Sequence, residues 1–494
     1  MENSISFLSL LPPVLAIGLA LLTRQVFLSL AAGLWIGFVI LAGGNPLTGT
    51  FDTMDAIVSV FESAGNTRII LFTLIVGALI ALIQRSGGVA GFVNWLMEKL
   101  EAMSDKAESR GQRRLVELLA LGTGLLLFIE SNISIMTVGA LYRPVFDRLG
   151  IPREKLAYIA DSGSAPSSIL IPFNAWGAFI MGLIAAQSGL DGSPLEIFIG
   201  ATVLNFYPML VILILIFVIL SGRDVGEMKT AEQRARETGR LNREGAKIMM
   251  GDGASDVEAK AGVAAKARNM LIPILLMVGL MFVFLIMTGG GLASLKESGL
   301  FGTLSGGSGS KSVLYATSFA VLGAMVLYKI GGQLGIRESF ETVLSGMSGM
   351  VPLAILMVLA FALGSLCKDL GTGLYVAETA KGFISPALVP AMIFLISCFV
   401  AFSTGTSWGT FAIMIAIAVP LAQGMDVSPT LAIAAALGGG IFGDHCSPTS
   451  DTSIIASMAT ANDHIDHIRT QLPYALIGGA ITTGLYLILG FIGA

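Results

Sequence analysis

Long apolar runs, broken at a few polar points that carry glycine or proline, dominate the pattern of this chain. A helix that crosses the bilayer hydrocarbon needs about 20 mostly apolar residues. Runs of that kind occupy 5–22, 25–43, 67–84, 195–220, 270–289, 312–330, 350–367 and 472–493. Two further stretches, 155–189 and 430–460, are long enough to span but are interrupted by polar residues with Gly and Pro. Two others, 115–141 and 386–421, turn at a polar centre and predict helical hairpins. Each hairpin either crosses with both arms or re-enters, and the parity of crossings is the same in both cases. The predicted fold class is an all-α polytopic membrane protein.

Composition strengthens this reading. The 494 residues are 54% hydrophobic and 13% charged, about half the charge of a soluble protein, and the mean hydropathy is +0.82. The 60 glycines suit close helix packing and broken helices. A net charge of −4 suggests no nucleic-acid partner. Cys367, Cys398 and Cys446 lie in or beside apolar segments and read as small buried residues, not a disulfide set. Glu2 and the lack of a basic first segment predict no cleaved signal peptide.

Lys and Arg set the orientation. They cluster at Lys99 to Arg114, Arg143 to Lys155 and in 223–268, which holds ten basic and eight acidic residues. That polar loop is placed in the cytoplasm, helical in part and otherwise mobile. Segments 44–50 and 288–310 carry little positive charge and are placed outside. Counting crossings leaves both termini outside.

The two flanks of the loop resemble each other. Phe51-Asp52-Thr53 corresponds to Phe340-Glu341-Thr342, Phe128 to Asn132 corresponds to Phe402 to Thr406, and Asp161 to Ser168 corresponds to Gly443 to Ser450. The first pair falls on opposite sides of the predicted membrane. The expected organisation is therefore two inverted-topology repeats with broken helices and hairpins, 1–222 and 269–494, joined by the loop 223–268. Paired broken helices in such repeats place a site near the midplane.

Four polar breaks carry the candidate chemistry: Glu130-Ser131-Asn132, Asp161 to Ser168, Ser403 to Thr410, and Gly438 to Thr452. Unwound backbone frees carbonyl oxygens, and Ser, Thr and Asn add neutral ones. Hard cations such as sodium take oxygen shells of that kind. A carboxylate at membrane depth costs about 2.5–3.5 kcal/mol on insertion scales. Burial also favours its protonated form, so one carboxylate can hold a metal cation or a proton but not both. Asp161, Asp444, Asp451 and Glu130 are the candidates. Ser131, Asn132, Ser162, Ser164, Thr404, Thr406, Ser407, His445, Ser447, Thr449 and Thr452 are the candidate coordinating groups. Hydroxyls also bond back to their own helix, and a lone buried acid can simply cap a half-helix. Asn174 and Trp176 are read as packing residues.

The three histidines are His445, His464 and His467. His445 lies inside the fourth break, where it can position Asp444 or relay protons. The run Asp463 to Arg469 has metal-like spacing but no second ligand group, so no zinc site is expected. It reads as a polar helix end at the cytoplasmic surface, anchored by Arg469; pH sensing by its histidines is a further reading.

Gly443 to Ser457, together with Asp463 to Gln471, closely resembles the signature of the NhaC family of sodium/proton antiporters. The likeness extends loosely over both halves. It implies re-entrant hairpins whose polar tips serve sodium and substrate, a role that falls here on Ser131-Asn132 and Thr404-Gly405-Thr406. The family also includes a malate/lactate exchanger, amino-acid transporters and a tetracycline-efflux protein. Cys446 and Ala461-Asn462 stand where relatives often carry a hydroxyl residue and a Gly-Cys pair.

The expected function is secondary active exchange of Na+ for H+ by alternating access in the cell inner (plasma) membrane. Na+ would be held through Asp444, Asp161, Asn132 and Thr406. Coupled transport of a carboxylate, amino acid or drug is the alternative. Neither an enzyme nor a channel is expected: no nucleophile or metal set completes a catalytic site, and no glycine-carbonyl filter is evident. No cofactor is expected, and the partners are membrane lipid, sodium and protons. The sequence does not fix an oligomeric state; a homodimer is common among such carriers.

Overall fold

The computed structural model describes residues 7–23, 25–92, 94–95, 109–128, 131–172, 174–248, 260, 262–372, 375, 378–379 and 384–493. The described residues form helices without strands, and one isolated β-bridge joins Ile248 to Asp463. Among them, eight helices are long and apolar enough to cross a membrane. Three shorter apolar helices, Phe7–Leu19, Phe27–Leu41 and Pro194–Val203, add to the set. The protein is a polytopic all-α membrane protein.

The helices break where polar and cyclic residues interrupt the apolar pattern. The run 195–220, expected as one span, is two helices, Pro194–Val203 and Phe206–Ser221. Leu204-Asn205 forms the joint, and Pro208 in the first turn of the second helix supplies no backbone N–H for a bond to it. The stretch 155–189 divides into Arg153–Ser162, Ala165–Leu170 and Ala175–Ala185. Pro166 sits at the start of the second piece, and the Asn174 side chain accepts from Gly177 N at the start of the third. The stretch 430–460 divides into Pro429–Cys446 and Asp451–Thr460, with the Ser450 hydroxyl capping the second.

Both expected hairpins form. One joins Ser109–Leu126 to Ser131–Arg148, and the other joins Val389–Thr404 to Ser407–Gly424. The second turns at Gly405, whose φ is +70°. A Cβ there would lie 2.5 Å from the Thr449 carbonyl, so only glycine lets this tip touch the break at 447–450. Gly443 is equally constrained, since its Cβ would fall 2.3 Å from Phe402 N. Helix Pro429–Cys446 thus lies backbone to backbone against Val389–Thr404.

The element order repeats on the two sides of the polar loop. Val26–Leu41, Pro46–Ser59 and Ala64–Arg85 follow Leu11–Thr23 on one side; Gly309–Ile330, Ile336–Gly349 and Val351–Asp369 follow Arg268–Thr288 and Gly291–Ser305 on the other. The third helix of each set packs on the first helix of the opposite set. Cys367, Cys398 and Cys446 are buried and free.

The polar loop is more ordered than its composition suggests. Helix Gly226–Thr238 buries Met228, Ala231 and Ala235 against the membrane part. Arg234 grips both Glu154 oxygens at 2.9 and 3.0 Å, and Lys155 meets Asp224 at 2.8 Å and Glu232 at 3.3 Å. Beyond it, Arg243 pairs with Asp466 at 3.0 Å and Lys247 N donates to Asp463 Oδ2 at 2.7 Å. Burial raises the Asp463 pKa, but the backbone N–H groups of Lys247, Asp466 and Ile465 outweigh it and hold the carboxyl below its ordinary value. Segment 239–248 is therefore docked, not mobile. Past the undescribed 249–259, Lys260 bonds Glu338 at 2.6 Å and its backbone N–H donates to Arg85 O.

Candidate functional site

The second, third and fourth breaks converge on Asp161 and Asp444. Asp161 ends helix Arg153–Ser162 and is fully buried. Its Oδ2 accepts from Ser453 Oγ at 2.9 Å and Gln471 Nε2 at 2.8 Å, and lies 3.2 Å from His467 Nε2. Its Oδ1 is buried without a partner, and so are Gln471 Oε1 and His467 Nδ1. Asp444 lies in the last turn of helix Pro429–Cys446 and is 1% exposed. Ser407 Oγ donates to its Oδ2 at 2.9 Å and Ser450 Oγ to its Oδ1 at 2.8 Å. Both of its oxygens are thus satisfied by hydroxyls, whereas one Asp161 oxygen is not.

His445 connects the two acids. It follows Asp444 in the chain, and its carbonyl accepts from the same Gln471 amide that reaches Asp161. Its buried ring meets Ser162 Oγ at 2.7 Å through Nε2 and the Tyr207 hydroxyl at 3.1 Å through Nδ1. A neutral imidazole has one donor and one acceptor nitrogen, so both hydroxyls are served by one tautomer. Among the described residues, no Lys or Arg lies within ion-pair distance of Asp161 or Asp444, and His467 is the one cation-capable partner of Asp161.

The remaining candidates divide. Asp451 opens helix Asp451–Thr460 and is exposed, accepting from Thr452 N at 3.0 Å. Ser131 is buried and Asn132 half-buried at the first hairpin tip, where Asn132 Oδ1 has no partner. Thr406 is half-buried at the start of Ser407–Gly424. Thr404 and Ser164 spend their hydroxyls on Val400 O and Asp161 O of their own turns. Ser447 donates to Phe402 O and contacts Thr449, while Thr452 contacts Ser450; these bonds hold the break against the hairpin. Glu130 lies outside the described residues.

Asn174 donates to the carbonyls of Phe128 and Ser168 and caps its helix, while Trp176 packs on Trp408 and Phe411. Both hold the hairpins together.

His467 differs from the expectation of a polar helix end at the surface. It is fully buried against Asp161, while Arg469, two residues on, is exposed. His464 is half-buried and reaches Ser457 Oγ and Pro448 O. Among the described residues no group of three His, Cys, Asp or Glu side chains could hold a metal ion. Ser450, Ser453 and Gln471 stood in the sequence signature without a role of their own, and nothing in the sequence singled out Tyr207. The available signal was His467 and Gln471 at i and i+4, a polar face on an otherwise apolar helix.

The model of the Na+/H+ antiporter family matches residues 170–491, a range that includes Asp444, His445, His467 and Gln471. The chain belongs to the Na+/H+ antiporter family. It is a transporter rather than an enzyme. An uncharacterized Haemophilus influenzae protein is 31% identical over 99% of this antiporter-family chain and 92% of its own length. The arginine/ornithine antiporter ArcD of Halobacterium salinarum is 32% identical over 142 residues, 29% of each protein. In three dimensions this family member resembles the YdaH transporter of Alcanivorax borkumensis, with a TM-score of 0.60 at 14% identity, covering 90% of this chain and 89% of the other.

Proposed function

We propose that this secondary transporter exchanges Na+ for H+ by alternating access, with Asp161 and Asp444 as the carboxylates that take the cation or the proton in turn. One observation carries the reading. Two buried aspartates, linked through Gln471 and His445, have no Lys or Arg counter-ion among the described residues. An ionised carboxylate in such a place needs a cation, a proton or strong hydrogen bonds. Asp161 Oδ1 and Gln471 Oε1 are buried oxygens without a hydrogen-bond partner among the described residues, the donor type a hard cation takes. Asn132 and Thr406, on the two hairpin tips, would supply further oxygens to the cation in this proposal.

The inverted repeat belongs to this proposal. The parallel element order and the crossed packing of the two halves support it. It would give the molecule two interchangeable arrangements around one site.

In everted vesicles, Asp444→Asn should abolish Na+-induced proton movement while the protein remains membrane-inserted. Undiminished proton movement in that variant removes Asp444 from the mechanism. A second reading is coupled transport of an organic solute. The relative named an arginine/ornithine antiporter favours it, as does the hydroxyl-rich lining. Radiolabelled arginine, ornithine and malate in proteoliposomes separate the two. Exchange of any of them, dependent on Na+ or a pH gradient, selects the organic solute.

A further inference from the structure

Away from the two aspartates, a cavity of about 670 Å³ opens on the face that positive charge marks as cytoplasmic. Helix Ser109–Leu126 brings Arg113 and Arg114 to it, Ser131–Arg148 ends there in Arg148, and Arg153–Ser162 contributes Lys155. Helix Gly226–Thr238 closes it with Arg236 and Glu232, and Glu117 completes the charged lining.

The charges are unevenly matched. Glu232 already holds Arg113 at 2.7 Å, Lys155 at 3.3 Å and Arg236 at 3.4 Å. Glu117 lies 4.0 Å from Lys155, and Asp224, behind the lining, takes Lys155 at 2.8 Å. Among the described residues, five cationic side chains therefore meet three carboxylates, an excess of two positive charges. That excess sits on Arg114 and Arg148, which are exposed and have no carboxylate within ion-pair distance among the described residues. The acids are buried and engaged, so a cation finds no free ligand there. An anion finds two free guanidinium groups, whose forked donors match phosphate oxygens.

We propose that this cavity binds a phosphate-bearing anion, gripped by Arg114 and Arg148. Its volume is that of a site for a drug-sized molecule rather than for bare orthophosphate. A phospholipid headgroup at the membrane edge and a soluble polyphosphate share the chemistry. The site lies where both arms of the first hairpin, the Asp161 helix and the docked loop helix meet, so occupancy ties these four elements together. Lys155 and Asp161 are six residues apart on one helix, about 9 Å along its axis.

The purified full-length protein tests this by thermal unfolding in neutral detergent. One arm adds pyrophosphate, and the other adds phosphatidylglycerol against phosphatidylcholine. The variants are Arg114→Gln/Arg148→Gln and, as a control cation on another helix, Arg337→Gln. The expected result is a rise in midpoint for wild type and R337Q with pyrophosphate, phosphatidylglycerol or both. The double variant should need about tenfold more ligand or more for the same rise, because two charged hydrogen-bond donors are gone. The rise should also shrink as choline chloride approaches about 0.5 M, where screening is short-ranged. A response to phosphatidylglycerol alone identifies a lipid headgroup, and a response to pyrophosphate identifies a soluble anion. No rise in wild type with either ligand, or an equal rise in the double variant, overturns the proposal.

Discussion

Asp161 and Asp444 are both buried, yet their oxygens are served differently. Asp444 has a serine hydroxyl on each oxygen, so its charge is solvated by protein. Asp161 receives three groups on Oδ2 and none on Oδ1. Gln471 is the side chain on which this asymmetry depends, since its amide ties Asp161 to the His445 carbonyl. Gln471→Leu should lower stability by about 1–3 kcal/mol, the usual consequence of leaving buried acceptors unmet, and thermal unfolding of the purified protein checks it. Asp161, Ser162, Ser407, Asp444 and His445 were legible in the sequence because each is polar inside an apolar run. His467, Gln471 and Tyr207 were not. A histidine one turn into a helix looks the same whether it faces water or a carboxylate, and a tyrosine in an apolar run reads as a membrane-interface residue. What decided their roles was the face each turned toward another helix, which only tertiary packing fixes.

At the scale of elements, the helix breaks carry the organisation. The positions of the breaks were readable from Gly, Pro and hydroxyl residues, and so was the pairing of hairpins with broken helices. The joint at Leu204-Asn205 was hidden, because its single polar residue lies in an otherwise unbroken hydrophobic stretch. The end of helix Asp451–Thr460 holds a backbone position that only tertiary contacts explain. Ala461 caps that helix in the left-handed conformation, φ +51° and ψ +54°, a region that glycine enters without a Cβ penalty. Its carbonyl accepts from Arg153 at 3.1 Å and Asn242 at 3.4 Å, so the backbone is held there from outside the helix. A Cβ in this region costs about 1–2 kcal/mol, part of which glycine returns through its freer unfolded chain. Ala461→Gly should therefore raise stability by up to about 1 kcal/mol, read as a higher unfolding midpoint. A lower midpoint means that the strain lies elsewhere.

Across the whole molecule, the proposed inverted duplication makes a directional statement. Helices Pro46–Ser59 and Ile336–Gly349 hold equivalent places in the two halves and should face opposite compartments. Both Asp55 and Glu341 are exposed on them. In a cysteine-free background, Asp55→Cys should react with an impermeant maleimide from outside the cell, and Glu341→Cys only after the membrane is opened. Labelling of both from one side ends the inverted reading. The apolar runs and the breaks other than Leu204-Asn205 were visible from the residue pattern, but which helix of one half leans on which helix of the other was not. That choice is made by close backbone contacts and by the docked loop.

The loop grips residues from both halves, through Glu154 and Lys155 on one side and Asp463 and Asp466 on the other. Covalent continuity at 249–259 is then only one of the ties between them. Genes encoding 1–248 and 260–494 separately, translated in the same cell, should yield polypeptides that copurify through a tag on either one. Arg243→Ala in the first polypeptide, which removes the ion pair across to Asp466, should reduce the yield of that reunion.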